Sequence, residues 1–236
     1  MDILNGSKKI IVLFIFLLLN VPSLSFSQEN EIGGGVGGMF GVNMINMNDL
    51  NDEFLKEGLG SINPEKMFFG GLGYIIYNKF VLSPEGGVFW QTSNLEDVEL
   101  KYNGGLGFLN FGYLILEEPN SRGYPFIGIG YGKSSMEFSG SFTTFEFGEH
   151  SIKNKDIVDF NTLLINLGFS VHFLINFSKN ENRKGGIMAG LRAGYILTMG
   201  EKKWKIEGTE IKNGPNATFN GVYVRLMVGG WLSKFY

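Results

Sequence analysis

The chain has 236 residues and a formal net charge of −3, which suits one domain or one barrel with long loops and offers no basic stripe to the phosphates of nucleic acid, so nucleic acid is not an expected partner. Its 35 glycines show no period of three and its 22 phenylalanines are far too many for a disordered chain, which excludes a collagen-like repeat and disorder alike. Cysteine is absent, and with it go disulfides, thiolate metal sites, a cysteine nucleophile and a lipoprotein anchor.

In chain order, residues 1–27 read as a cleaved secretory signal peptide. Lys8 and Lys9 precede an apolar run from Ile10 to Leu19, a break follows at Asn20 to Pro22, and Ser25-Phe26-Ser27 supplies a small-x-small cleavage site before Gln28. The run is short for a membrane helix, so residues 28–236 are expected to form one mature domain. In the first segment after it, EIGGGVGGMFGVNM, Ile32, Val36, Phe40, Val42 and Met44 share one parity and Gly33, Gly35, Gly37, Met39, Gly41 and Asn43 the other. Such alternation marks a strand with one oily face.

The second strand, KMFFGGLGYIIYN, is expected to turn Leu72, Tyr74 and Ile76 to the oily side. After Asn78-Lys79 a third carries Phe80, Leu82, Val88 and Trp90 there, completing a hairpin. The fourth, LKYNGGLGFLNFGYLILE, has Leu109, Phe111, Tyr113 and Ile115 outward, with a muddled N-terminal half that suggests a bulge. The fifth places Ile127, Ile129 and Tyr131 outward. The sixth, NTLLINLGFSVHFLINF, is the clearest: Leu163, Ile165, Leu167, Phe169, Val171, Phe173 and Ile175 alternate with Asn166, Gly168, Ser170 and His172. The seventh sets Ile187, Ala189, Leu191, Ala193, Tyr195 and Leu197 against Met188, Gly190, Arg192 and Gly194, and the eighth sets Val222, Val224, Leu226, Val228, Leu232 and Tyr236 against Tyr223, Arg225, Met227 and Gly229.

Eight such strands, with connections that are mostly long at one end and short at the other, are the pattern of an all-β, eight-stranded antiparallel up-and-down transmembrane β-barrel with both termini in the periplasm. Trp90 is expected at the outer rim, and Tyr77, Phe80, Tyr113, Phe173 and Tyr236 at the inner one. The signal peptide, the eight strands and the segments DLNDEFLKEGLG, FGGLGY, LNFGYLI, YPFIGIGYG and GVYVRLMVGG together resemble the small porin-like outer-membrane β-barrels of Bacteroidetes-type bacteria, over nearly all of the mature chain. The resemblance implies location in the cell outer membrane, lipid around the wall, and insertion by the barrel-assembly machinery. Val224, Leu226, Val228, Leu232 and Tyr236 would then form the assembly signal, with Tyr236 standing where phenylalanine is usual and Lys234 interrupting the apolar parity.

An eight-stranded lumen is just wide enough for side chains to fill. Glu31, Glu85, Arg192 and Arg225 face it on these parities, with His172, Ser83, Ser170, Asn110 and Asn166. A lone ion in so dry a place costs several kcal/mol, so Glu85 is expected to pair with Arg192 or Arg225 as an internal plug. Ser170 and His172 point the same way two residues apart, about 6–7 Å along a strand, too far for the hydroxyl-to-imidazole bond that activates a serine. Catalysis, a metal site and a cofactor are therefore not expected, and GGGVGG lacks the Lys-Ser/Thr of a phosphate loop.

The first long connection carries the one expected helix, NDLNDEFLKEG, capped by Asn48 or Asp49, with Leu50, Phe54, Leu55 and Leu59 on one flank and Gly58 or Gly60 ending it. The flank is expected to cover the barrel mouth, with docking of an envelope or surface protein as the alternative. The connection from Glu201 to Thr218 reads as a solvated hairpin. The function expected is a structural or surface-interaction role for a filled barrel. A narrow passive channel is the second reading, and an outer-membrane lipid-modifying enzyme the third.

Overall fold

The computed structural model describes residues 31–95, 98–142, 144–178, 183–200 and 203–235. The signal peptide expected over residues 1–27 and the terminal Tyr236 lie outside them. Eight long strands form the wall: β1 (Glu31–Ile45), β2 (Glu65–Tyr77), β3 (Phe80–Leu95), β4 (Val98–Tyr113), β5 (Ser121–Gly140), β6 (Ile157–Asn176), β7 (Arg183–Met199) and β8 (Gly221–Phe235). Each pairs antiparallel with its neighbours in sequence, and β8 pairs with β1 from Gly221 opposite Ile45 to Phe235 opposite Glu31. Because every strand has a partner on both sides, the wall closes without a free edge. The protein is an eight-stranded antiparallel β-barrel, as the alternation predicts, with one short helix among the described residues.

Two expectations about the wall are corrected. Leu72, Tyr74 and Ile76 of β2 point inward and are buried, while Met67, Phe69, Ile75 and Tyr77 are the exposed set. Both faces of β2 are apolar, so alternation grouped the residues correctly without telling which group faces out. The bulge expected in β4 is also absent: its register runs unbroken from Val98 opposite Leu95 to Tyr113 opposite Phe80. The muddle has another cause. The N-terminal half of β4 turns Val98, Leu100 and Tyr102 inward, where they are buried, and Glu99, Lys101 and Asn103 outward, a reversal of the polarity seen further down the strand.

That reversal runs round the barrel. Toward the end with the short turns, the outer wall exposes Ile32, Val36 and Phe40 of β1, Phe80, Leu82 and Val88 of β3, Ile127 and Ile129 of β5, Phe173 and Ile175 of β6, and Val224, Leu226, Val228 and Leu232 of β8. Toward the other end the outside becomes polar, with Lys133 and Asp159 paired at 4.0 Å across β5 and β6, and the inside becomes aromatic. Trp90 stacks on Phe69 with ring centroids 5.3 Å apart near this boundary, and Phe80 meets Tyr113 at 5.5 Å near the opposite one.

The long connections close the aromatic end. Helix α1 (Asn48–Lys56) starts after Met47, whose side chain makes no capping bond. Asn46 instead accepts from the Asn48 backbone N–H at 3.0 Å through its Oδ1, so neither expected cap residue caps the helix. Phe54 is wholly buried, with ring centroids 6.1 Å from Phe138, 6.4 Å from Phe145 and 6.1 Å from Phe147. Phe145 and Phe147 come from a small hairpin, Thr144–Phe147 with His150–Lys153, that leans over the mouth. Leu50 and Leu59 are buried with them, but Leu55 is 59% exposed. One residue on from Phe54 is a turn of about 100° round a helix, so Leu55 cannot share its flank.

Polar ties fix the helix to the same hairpin. The backbone N–H of Gly148 donates to Glu53 Oε1 at 3.2 Å and that of Glu146 to Glu57 Oε2 at 3.1 Å. The Lys56 ammonium, 2.9 Å from Glu53, holds that carboxyl below its usual range, with the Gly148 N–H also contributing. The segment expected as a solvated hairpin is likewise part of the cap: Trp204, Ile206 and Ile211 are buried, and Trp204 lies 5.5 Å from Phe160.

Phe54→Ala is expected to destabilise the cap by about 3–5 kcal/mol, the usual cost of emptying a buried aromatic site, and Leu55→Ala by under about 0.5 kcal/mol. Protease susceptibility of the long connections during denaturant titration measures both.

Candidate functional site

The centre of the lumen is an ionic network built from six of the eight strands. β3 supplies Glu85, β7 Arg192, β8 Arg225 and Tyr223, β6 Asn166, β4 Asn110, and β1 Asn43. Arg192 Nε lies 2.7 Å from Glu85 Oε2, and Arg225 Nη1 donates to Glu85 Oε1 at 3.2 Å. Asn166 Nδ2 donates to the same Oε1 at 3.0 Å and to Asn110 Oδ1 at 2.9 Å. Tyr223 donates its hydroxyl proton to Asn166 Oδ1 at 2.9 Å, Arg225 Nη2 donates to Asn43 Oδ1 at 3.0 Å, and Asn110 Nδ2 donates to the Ser83 carbonyl at 2.9 Å.

All three charged side chains are inaccessible to solvent. Glu85 therefore pairs with both arginines, where one or the other was expected. The register explains why both are needed in one cluster: Arg192 and Arg225 are direct cross-strand partners on the inner face, and like charges so placed repel. A carboxylate reaching from the far side of the ring bridges the two guanidiniums and offsets their repulsion. Their remaining guanidinium surface is covered by rings, Phe126 at 3.6 Å from Arg192, and Phe68 and Tyr223 at 3.9 and 4.1 Å from Arg225. Planar, weakly hydrated arginine suits this stacking better than lysine.

A second cluster lies nearer the short-turn end. Ser170 Oγ is 3.0 Å from His172 Nε2, and the Tyr124 hydroxyl is 3.5 Å from the same nitrogen. The expected separation of Ser170 from His172 is thus corrected. The two side chains leave the strand a two-residue step apart, but the imidazole reaches back along it and closes the gap. Tyr74 and Tyr124 flank the ring at centroid distances of 5.0 and 5.3 Å. Both Ser170 and His172 are fully buried, and His172 Nδ1 has no hydrogen-bond partner among the described residues. The acceptor that orients the imidazole in a serine triad is thus not supplied there.

Sequence reasoning missed two interior cations. Lys66 is buried, donates to Gln91 Oε1 and the Asn63 carbonyl, and lies 5.3 Å from the Tyr102 ring centroid. Its place on the face of Phe68 would have marked it, had the parity of β2 been assigned the right way round. Arg122 donates to Ser233 Oγ at 3.1 Å and lies 5.3 Å from the Trp231 ring. It sits at the start of β5, which begins at Ser121, ahead of Ile127, Ile129 and Tyr131, from which that strand's parity is read. The side chain of Glu31 lies outside the described residues. Val224, Leu226, Val228 and Leu232 share the exposed outer face of β8. Among the described residues no group of three or more histidines and carboxylates is placed to hold a metal, and no helix is long and apolar enough to cross a membrane.

No known protein family matches the chain, and no curated protein matches it. Among solved structures it is similar to the attachment invasion locus protein of Yersinia pestis, at 13% identity and TM-score 0.39, covering 87% of this chain and 99% of that one. It is similar to a major outer membrane protein of Thermus thermophilus at 11% identity and TM-score 0.39, covering 87% and 99%. It is also similar to the outer membrane protease OmpT of Escherichia coli at 10% identity and TM-score 0.34, covering 92% and 100%. The barrel assignment rests on the strand register and not on these likenesses.

Glu85→Ala leaves two facing guanidiniums buried without their counter-ion and is expected to cost about 3–5 kcal/mol. The triple variant Glu85→Gln, Arg192→Met, Arg225→Met, which removes the whole ionic set, is expected to recover most of that loss. Denaturant unfolding in detergent micelles compares the three proteins.

Proposed function

We propose that the chain is an integral outer-membrane β-barrel whose lumen is filled by its own side chains, serving a structural or surface-interaction role. The carrying observation is the apolar outer belt. Soluble proteins seldom expose contiguous apolar patches beyond a few hundred Å², whereas here exposed aliphatic and aromatic residues occur on the outer face of every strand. On β6 the belt runs from Leu163 to Ile175, both more than half exposed. At about 3.3 Å per residue and a tilt of about 40°, that span covers roughly 30 Å, the thickness of a bilayer core.

In this placement the short turns and both chain ends face the periplasm and the capped end faces outward. The eighth strand, with Val224, Leu226, Val228 and Leu232 outward, presents itself to the barrel-assembly machinery during biogenesis. The Glu85 tie obstructs the lumen at mid-height and the aromatic cap obstructs it above, which supports a plugged barrel over a channel. The buried setting of Ser170 and His172 supports a role other than catalysis. The capped loops form the ordered surface available to an envelope or surface protein partner.

The test is fractionation with a boiled-versus-unboiled gel comparison, in which a folded membrane barrel stays with the outer membrane and migrates faster before boiling. Recovery in the soluble fraction without a gel shift overturns the reading. Liposomes containing the purified protein are expected to swell in small sugars no faster than empty ones, and faster swelling would favour the channel. Leu226→Arg, on the lipid face, is expected to destabilise refolding into vesicles by about 2–4 kcal/mol, while Ser135→Arg, above the belt, changes it by under about 1 kcal/mol.

A further inference from the structure

The end that carries the long connections has a polar cleft in its surface. The segment from Lys203 to Asn220 folds back on the hairpin of Thr144–Phe147 and on the start of α1, leaving an open cleft of about 340 Å³. A smaller one of about 140 Å³ adjoins it at Asn216, which lines both. The walls are pinned: the Glu149 backbone N–H donates to the Lys212 carbonyl at 2.9 Å and that of Asn46 to the Asn220 carbonyl at 2.8 Å. Four asparagines line the two lobes, and each spends one end of its carboxamide inside the protein. Asn213 and Asn216 donate through Nδ2 to the carboxylates of Glu149 and Asp49, the latter at 2.6 Å. Asn46 and Asn220 accept through Oδ1 from the backbone N–H groups of Asn48 at 3.0 Å and Thr198 at 2.6 Å. A carboxylate only accepts and a backbone N–H only donates, so these partners fix which end of each amide is which. The opposite ends, Oδ1 of Asn213 and Asn216 and Nδ2 of Asn46 and Asn220, have no hydrogen-bond partner among the described residues. The cleft thus presents two acceptors and two donors, each already oriented.

We infer that this cleft binds an uncharged glycan, whose hydroxyl groups bond the free carboxamide ends of Asn213, Asn216, Asn46 and Asn220. The inference takes from the proposed membrane placement only that this end of the barrel faces away from the cell. A hydroxyl donates one hydrogen bond and accepts two, so a row of sugar hydroxyls matches a mixed set of amide oxygens and nitrogens. A phosphate or sulfate, which only accepts, and an ammonium, which only donates, each match half of it. The charges agree, because Lys203 is paired with Glu210 and the lining as a whole holds three carboxylates against two ammoniums, no field to draw a polyanion. Trp204, Ile211 and Pro215 of the lining are buried, so the cleft lacks the exposed apolar anchors on which lipids and protein hot spots rely. Amides already held at one end lose little freedom on binding, and the larger lobe alone falls within the usual range for ligand sites, about 300–1,000 Å³.

The test applies the purified protein in detergent micelles to a printed array of neutral, sialylated and sulfated oligosaccharides. Binding to neutral glycans is expected. Asn213→Ala with Asn216→Ala is expected to weaken it roughly tenfold, about threefold for each hydrogen bond lost, while Lys205→Ala, on the same segment but outside the cleft, leaves it unchanged. A second measurement needs no variant: hydrogen exchange in the unaltered protein is expected to slow over residues 46–49 and 203–220 when the best-bound neutral glycan is added. The boiled-versus-unboiled gel shift is read on every protein. With that shift normal, silence toward neutral glycans, binding confined to sialylated or sulfated ones, equal binding by the double variant, or exchange protection elsewhere on the chain overturns the cleft and leaves the membrane barrel standing. Loss of the gel shift from the unaltered protein overturns the membrane barrel and the outward-facing site with it.

Discussion

The charged side chains at the centre of the ring are shut off from solvent, so each must find its counter-ion across the lumen or against a ring. Arg192 and Arg225 are placed face to face on adjacent strands, an arrangement that stands only because Glu85 reaches them. β3 and β7 are four strands apart in a ring of eight, so the contact between Glu85 and Arg192 crosses the barrel's diameter. Asn166 and Asn43 bond Glu85 and Arg225, with Asn110 and Tyr223 bonded to Asn166 in turn, while Arg192 is held by its ion pair with Glu85 and by the Phe126 ring. Removing one member of so buried a set strands the charge of another, which ties its members to one another more strongly than any pair alone suggests.

The steric fit around that network depends on missing side chains as much as on present ones. Gly168 on β6 faces the Phe126 ring that backs Arg192, and a Cβ there would lie 2.4 Å from the ring. The small residue therefore lets the ring lie flat under the guanidinium. Above this level the barrel exchanges polar interior for aromatic interior and apolar exterior for polar exterior. On the proposed membrane placement, a change of surroundings from hydrocarbon to water accounts for the reversal, because the burial of apolar area drives packing only where water is the alternative.

The two obstructions have different chemistry. The lower one is ionic and stiff, held by bonds that span the ring. The upper one is hydrophobic, a helix and two hairpins joined through Phe54, Phe147, Trp204 and Phe160, with Glu53 and Glu57 bonded to hairpin backbone at its edge. Two unlike plugs thus obstruct the lumen in series. The Ser170 and His172 contact lies between these features and the short turns, with no acceptor for His172 Nδ1 among the described residues.

Much of this was legible before any coordinates. The alternation of Leu163 through Ile175 against Asn166, Ser170 and His172 identified a strand with one apolar outward face, and repetition of that pattern with even strand number implied closure. Parity also placed Glu85, Arg192 and Arg225 indoors. Three-dimensional packing decided the rest. A period of two groups residues by face but cannot choose the face when both are apolar, so β2 was turned inside out, and Lys66 was missed with it. Spacing along a strand measures where side chains begin and not where they end, so Ser170 and His172 proved closer than their step. Which partner Glu85 takes, and that Phe54 turns into the mouth while Leu55 stays in water, depended on register across the ring and on helix rotation, quantities fixed by contacts between segments far apart in the chain.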